Sequence, residues 1–110
     1  MKRLLIVNAC VRRDISRTNR LCRVWMEQAC RDEPYEVQEV ILEEENLHGL
    51  DTGTLGHRDR LLSEGHLEHE MFRYARDFRK ADEIVIAAPY WDMSFPAALK
   101  CYLEAVSVVG

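Results

Sequence analysis

Between Pro89 and Pro96 lie Tyr90, Trp91, Asp92, Met93, Ser94 and Phe95, three flat rings with a thioether and a carboxylate among them. Aromatic faces grouped this closely offer a stacking surface, and a planar ligand is their natural partner. A second group surrounds Ser16. Thr18 and Asn19 follow it closely, and Arg12, Arg13 and Arg17 bring positive charge. Hydroxyls and cations at the start of a helix favour an anion, because the first N–H groups lack intrahelical partners and the helix dipole is positive there. A lone serine in that place would read simply as an N-cap. A third group, His66 and His69 with Glu70 beside them and Glu64 nearby, could share a helix face and hold a metal. Surface histidines at a helix start are the plainer account. His48 and His57 fit either solvent exposure or a reach over a ligand. Cys101, within an apolar run, reads as a packing residue, and Trp25, at helical spacing, as core. Neither Gly-x-x-x-x-Gly-Lys nor Gly-x-Gly-x-x-Gly occurs, so no P-loop or dinucleotide fingerprint is present.

The elements that must position these groups are legible in order. Arg3 to Asn8 contains Leu4-Leu5-Ile6-Val7, a continuous apolar run suited to a buried central parallel strand. Ser16 is a good N-cap, and Leu21, Cys22, Trp25, Met26 and Ala29 follow at spacings of three and four, predicting a helix that ends near Asp32-Glu33-Pro34. Residues 35–42 form a second strand, polar enough for a sheet edge, and complete a right-handed βαβ unit. Residues 43–66 carry Glu43-Glu44-Glu45 and four glycines and show no regular element beyond a short helical turn at Arg58 to Ser63. A helix over Leu67 to Lys80 follows, with Leu67, Met71, Tyr74, Ala75 and Phe78 on one face. Ile84 to Ala88 is a third buried strand, ended by Pro89. Pro96 is expected as the first residue of a last helix reaching about Val109, apolar nearly all round and so covered on more than one side. The order β-α-β-loop-α-β-α gives an α/β fold with strands placed 2-1-3. Both candidate groups then fall at the carboxyl edge of the sheet, where such sheets bind ligands.

Composition narrows the classes. The 110 residues suit one domain, 1–110, and 47% apolar with 31% charged residues describes a globular chain. The net charge of −4 argues against nonspecific nucleic-acid binding. No apolar run is long enough for a membrane span, and no signal segment follows the start, so the expected location is cytoplasmic. Cys10, Cys22, Cys30 and Cys101 form no framework and read as reduced thiols. Residues 1–23 carry seven cations against Asp14 alone, whereas residues 27–51 carry nine acids against Arg31 alone. A basic segment on an acidic protein points again to a bound anion.

The run Ala88-Pro89-Tyr90-Trp91-Asp92-Met93-Ser94-Phe95-Pro96-Ala97-Ala98-Leu99-Lys100 resembles the flavin-contacting segment of the NAD(P)H:quinone oxidoreductase and FMN-dependent azoreductase family, which ends in Pro-Ala-x-Leu-Lys. Asn8-Ala9-Cys10-Val11-Arg12, followed by Ser16-Arg17-Thr18-Asn19, is similar to the same family's FMN-phosphate loop, commonly Asn-Ala-Ser-Pro-Arg followed by Ser-x-Ser. Three departures stand out. Cys10 replaces a serine and donates poorly, Val11 replaces a proline, and Asp92 replaces the usual amide.

The resemblance implies a flavodoxin-like three-layer parallel sheet and a cofactor, FMN. Its phosphate would lie against Cys10, Arg12, Ser16, Arg17 and Thr18, and its ring against Pro89, Tyr90, Trp91, Asp92 and Met93. It implies a homodimeric oxidoreductase taking electrons from NAD(P)H to a quinone or azo acceptor. The family's domain has strands in the order 2-1-3-4-5, so this chain is expected to be truncated to strands 2-1-3, without strands 4 and 5. The competing reading is an inactive fragment, or one subunit of a split protein, acting as a binding module. Strand 83–88 would then be an exposed edge beside an apolar last helix. A dimer or larger assembly is the expected state.

Overall fold

A computed structural model describes residues 1–10, 16–45, 47, 51–66, 68–89 and 95–107. Three parallel strands, β1 (Lys2–Asn8), β2 (Tyr35–Ile41) and β3 (Glu83–Ala87), form one sheet in the order β2-β1-β3. Leu4, Leu5, Ile6 and Val7 are essentially inaccessible, as a central strand covered on both faces requires. The register pairs Ile6 with Glu39 on one side and with Val85 on the other.

Alternation along β1 divides the core into two layers. Leu5 and Val7 join Val40, Leu42, Leu99 and Tyr102, with Tyr74 and Phe78 packed against them. Leu4 and Ile6 join Cys10, Cys22 and Ala87, with Met26 and Val85 alongside. Helix α1 (Arg17–Asp32) therefore covers one face, and helices α3 (Arg73–Lys80) and α4 (Ala97–Val106) the other.

Several expectations are corrected. Residues 52–63 form a twelve-residue helix, α2 (Thr52–Ser63), where the sequence predicts only a short helical turn at Arg58 to Ser63. Gly53 and Gly56 lower its intrinsic propensity, each by about 1 kcal/mol relative to alanine, which hides it from a pattern search. A capping box offsets part of that cost: Asp51 Oδ1 accepts the Thr54 N–H at 2.8 Å, and the Asp51 N–H donates to Thr54 Oγ1 at 2.9 Å. Gly65, at φ +75°, ends the helix in a Schellman turn, with the His66 N–H on the Leu61 carbonyl and the Gly65 N–H on that of Leu62. The next helix begins later than expected. Glu70–Phe72 is a 3-10 turn that drives Phe72 to 2% exposure, and α3 follows it. Leu67 lies outside the described residues.

Trp25 is not core. It is 42% exposed, beside Leu21 at 71% and Val24 at 65%, because only the Cys22–Met26 stripe of α1 meets the sheet. Strand β2 stops at Ile41, and Leu42 opens a short 3-10 turn. Pro96 is the N-cap of α4 rather than its first residue, and the described helix ends at Val106; residues 108–110 lie outside the described set. Leu99 and Tyr102 are buried and Val106 packs on the core, while Leu103 is 41% exposed. Helix α4 is thus covered on one side, not several.

Candidate functional site

The start of α1 is built by its cap. Ser16 has extended backbone (φ −74°, ψ 123°), and its Oγ accepts the Asn19 N–H at 3.1 Å. Having accepted that bond, the hydroxyl retains its own proton to donate. The N–H groups of Arg17 and Thr18 fall in the turn whose donors have no intrahelical acceptor. Arg17 and Arg20 meet no acidic side chain among the described residues, and they line a shallow depression of about 400 Å³ with Leu21 and Val24. In contrast, other cations of the basic segment are spent on acids. Lys2 lies 3.2 Å from Glu33, Arg3 3.7 Å from Glu36, and Arg23 pairs with Glu39. Hydrogen bonding to Glu39 holds the Arg23 guanidinium above its ordinary pKa. Among the described residues of the basic segment, the cations left over, Arg17 and Arg20, stand where α1 begins.

The turns leaving β1 and β3 depart side by side. The Ala9 N–H donates to the Ala87 carbonyl at 2.8 Å, and the Cys10 thiol donates weakly to the same oxygen at 3.7 Å. The chain passes from β1 to β2 on one side and later returns to β3 on the other, so the crevice between β1 and β3 is the topological switch point of the sheet. The start of α1, tied to the end of β1 through Asn8 and Asn19, therefore lies at the same sheet edge as the turn that leaves β3 toward Pro89.

A family model described as the flavodoxin-like fold matches residues 2–110. The chain belongs to that family. Among similar proteins, FMN-dependent NADH:quinone oxidoreductase 2 of Clostridium perfringens (strain 13 / Type A) is 34% identical over 112 residues, covering 100% of this chain and 57% of its own length. A protein of the same description from Clostridium acetobutylicum is 49% identical over 43 residues, 39% of this chain and 22% of its own. The azoreductase from Bacillus anthracis str. Sterne superposes with a TM-score of 0.88 at 21% identity, over 100% of this chain and 57% of that one. An FMN-dependent NADH-azoreductase from Bacillus anthracis str. Ames Ancestor, solved with FMN, gives 0.79 at 17% identity over 99% and 57%. This flavodoxin-like chain thus spans little more than half the length of the longer relatives it matches.

Of the residues singled out in the sequence, Cys10, Ser16, Arg17, Thr18 and Pro89 lie in the described part of this flavodoxin-like chain. Arg12, Tyr90, Trp91, Asp92 and Met93 lie outside it. Ser16, Arg17 and Thr18 share the first turn of α1, half-buried or exposed. Cys10 is fully buried, its N–H on Asn8 Oδ1 at 3.0 Å and its thiol on Ala87. It braces the turn from beneath. Pro89 is half-buried just past β3, and Phe95, at the far end of the aromatic segment, is 47% exposed.

The histidines take other roles. His66 sits between Glu64 at 3.3 Å and Glu68 at 3.6 Å, and His69 Nδ1 accepts the Met71 N–H at 3.0 Å while its ring meets His57 edge-on at 5.5 Å. Among the described residues no cluster of three or more ligating side chains is placed to hold a metal. His48 lies outside the described residues.

Sequence reasoning missed Asn8 as an organising residue. It is buried, and its amide donates to Asn19 Oδ1 at 2.9 Å and to Glu39 Oε2 at 3.0 Å, while its Oδ1 accepts from Cys10. The available signal was a polar residue closing an otherwise apolar strand; its partners, 11 and 31 residues away, were not readable.

Proposed function

We propose that this chain binds FMN and carries electrons from NADH through the flavin to a quinone or azo-type acceptor. The observation that carries the reading is the juxtaposition at the β1/β3 switch point. There, a capped helix N-terminus whose Arg17 and Arg20 meet no acid among the described residues adjoins the strand that leads into Pro89 and the aromatic segment. The names of the relatives supply the reaction type. Ser16, Arg17 and Thr18 suit a phosphate group, since hydroxyl, backbone N–H and guanidinium donors converge at the positive end of a helix dipole. Pro89 and the segment Tyr90 to Met93 are assigned to the ring, and Arg12 to the phosphate. Bound FMN would supply the redox chemistry, accepting a hydride and passing electrons on. The chain's own part is to hold the phosphate, present the ring and keep its four thiols free, as a reducing cytoplasmic compartment allows.

Titration of purified chain with FMN, followed by flavin fluorescence, tests the reading. Saturable quenching with FMN bound at least about tenfold more tightly than riboflavin is expected, the scale of one or more charged hydrogen bonds. Equal affinity for the two flavins would remove the phosphate assignment. Tight FMN binding without NADH oxidation would favour the second reading, half of a split flavoprotein. The open outer edge of β3 among the described strands supports that alternative.

The same edge, with Ile86 43% exposed on it and Leu103 41% exposed on α4, supports a dimer or larger assembly. Light scattering at micromolar concentration is expected to give a mass well above the 12.9 kDa of one chain. Leu103→Glu should dissociate the assembly if α4 is the contact and leave the mass unaltered if the strand edge is. A cooperative monomer would defeat the proposal. Leu103 is the better probe than Val106, which packs on the core.

A further inference from the structure

Helix α1 meets the sheet through little apolar surface. Cys22 is its one fully buried residue, while Leu21, Val24 and Trp25 face outward. Apolar packing on so narrow a stripe leaves a helix free to slide or roll, so the contacts that fix its start must be polar. Two such contacts are present. Asn8 at the end of β1 donates to Asn19 in the first turn, and Glu39 on β2 pairs with Arg23 one turn later. The Asn8 amide joins the two, because it also donates to Glu39 Oε2, the carboxylate oxygen that accepts from Arg23. Glu39 is 20% exposed and Arg23 36%, on the sheet face that α1 covers.

A carboxylate in that position is unexpected beneath an anion site, because its field opposes a bound phosphate. Arg23 answers the objection. Its guanidinium neutralises Glu39 and leaves the oxygen available as an acceptor for Asn8.

We propose that Asn8, Glu39 and Arg23 form a charge-neutral clamp that positions the first turn of α1 for phosphate. The proposal rests on the FMN reading. The three are positioning residues: they hold Ser16, Arg17 and Thr18 in place from the side of the helix away from the anion. The clamp spans β1, β2 and α1, so the second strand contributes to a site formed by the first and third.

Flavin titrations of variants test it, with riboflavin as the probe lacking phosphate and circular dichroism as the check on folding. Arg23→Met removes the Arg23–Glu39 pair and should weaken FMN about tenfold while riboflavin is unchanged. Adding Glu39→Gln removes the charge but keeps an acceptor for Asn8, and should restore FMN to within about threefold of wild type. Arg23→Met with Glu39→Leu is neutral too, but it takes the acceptor away and should again bind FMN about tenfold more weakly. The two neutral pairs decide the matter even if Arg23→Met alone fails to fold. Equal FMN affinity in those pairs, or equal loss for both flavins, would overturn the clamp while leaving the FMN reading standing. A wild-type chain with no preference for FMN over riboflavin would overturn both.

Discussion

Tyr102→Ala is expected to lower the unfolding free energy by about 3–5 kcal/mol, the range for emptying a buried aromatic site. Tyr102 is fully buried in α4 and joins the larger of the two core layers. Its ring meets Tyr74 edge-on at 5.6 Å and lies tilted at 6.5 Å from Phe78, so its loss removes both aromatic contacts. Chemical denaturation followed by circular dichroism measures the change; a loss below about 1 kcal/mol would mean that α4 does not seal the core. Tyr102→Phe should behave differently. The hydroxyl is buried without a hydrogen-bond partner among the described residues, so removing it is expected to be neutral or to stabilise the fold by about 1 kcal/mol.

The same phenol governs part of the alkaline limit. Burial first, then the nearby Asp77 charge, push Tyr102 up to about 12 from 10.0. A raised value in the folded state means the unfolded chain releases its proton first, so stability is whole below pH 10 and falls as pH rises toward 12. Tyr35 is also pushed to about 12, chiefly by its hydrogen bond to Glu83. The alkaline loss should therefore be reduced in Tyr102→Phe, not abolished.

Removing both hydroxyls of the first turn, Ser16→Ala with Thr18→Ala, is expected to weaken FMN by about 1–3 kcal/mol, roughly 5- to 150-fold. The physical basis is the double duty of Ser16, whose oxygen accepts from Asn19 while its proton remains to donate outward. Replacing it therefore removes a cap as well as the proposed phosphate donor. The cap alone is worth about 1 kcal/mol of stability, so folding and binding must be measured separately. Riboflavin affinity should not follow the FMN loss. Unchanged FMN affinity in the double variant would show that the phosphate lies elsewhere.

What the sequence determined by itself was set by interactions spanning a few residues or by plain apolar content. Four successive aliphatic residues after Arg3 could only be a strand covered on both faces, and they occupy the centre of the sheet. Ser16 announced the start of α1 because a cap bond reaches only three residues ahead. Two strand–helix units sharing the first strand placed the strands 2-1-3, as in a doubly wound sheet. The hydroxyls and cations around that cap, assigned above to phosphate by proposal, were legible for the same local reason.

Tertiary structure alone decided the rest. Trp25 sits at helical spacing with Cys22 and Met26, yet its exposure depends on what packs across α1, which no spacing encodes. Helix α2 is held by a capping box and a Schellman turn around two glycines, with Leu61 as its one buried anchor, so no apolar period announces it. The side chain of Asn8 could have faced solvent, water or protein. Its burial became affordable only when folding brought Asn19, Glu39 and the Cys10 N–H to it, satisfying every donor it has. Local chemistry names the residues that could touch an anion; the packing of a second strand and a thinly seated helix decides where they are held.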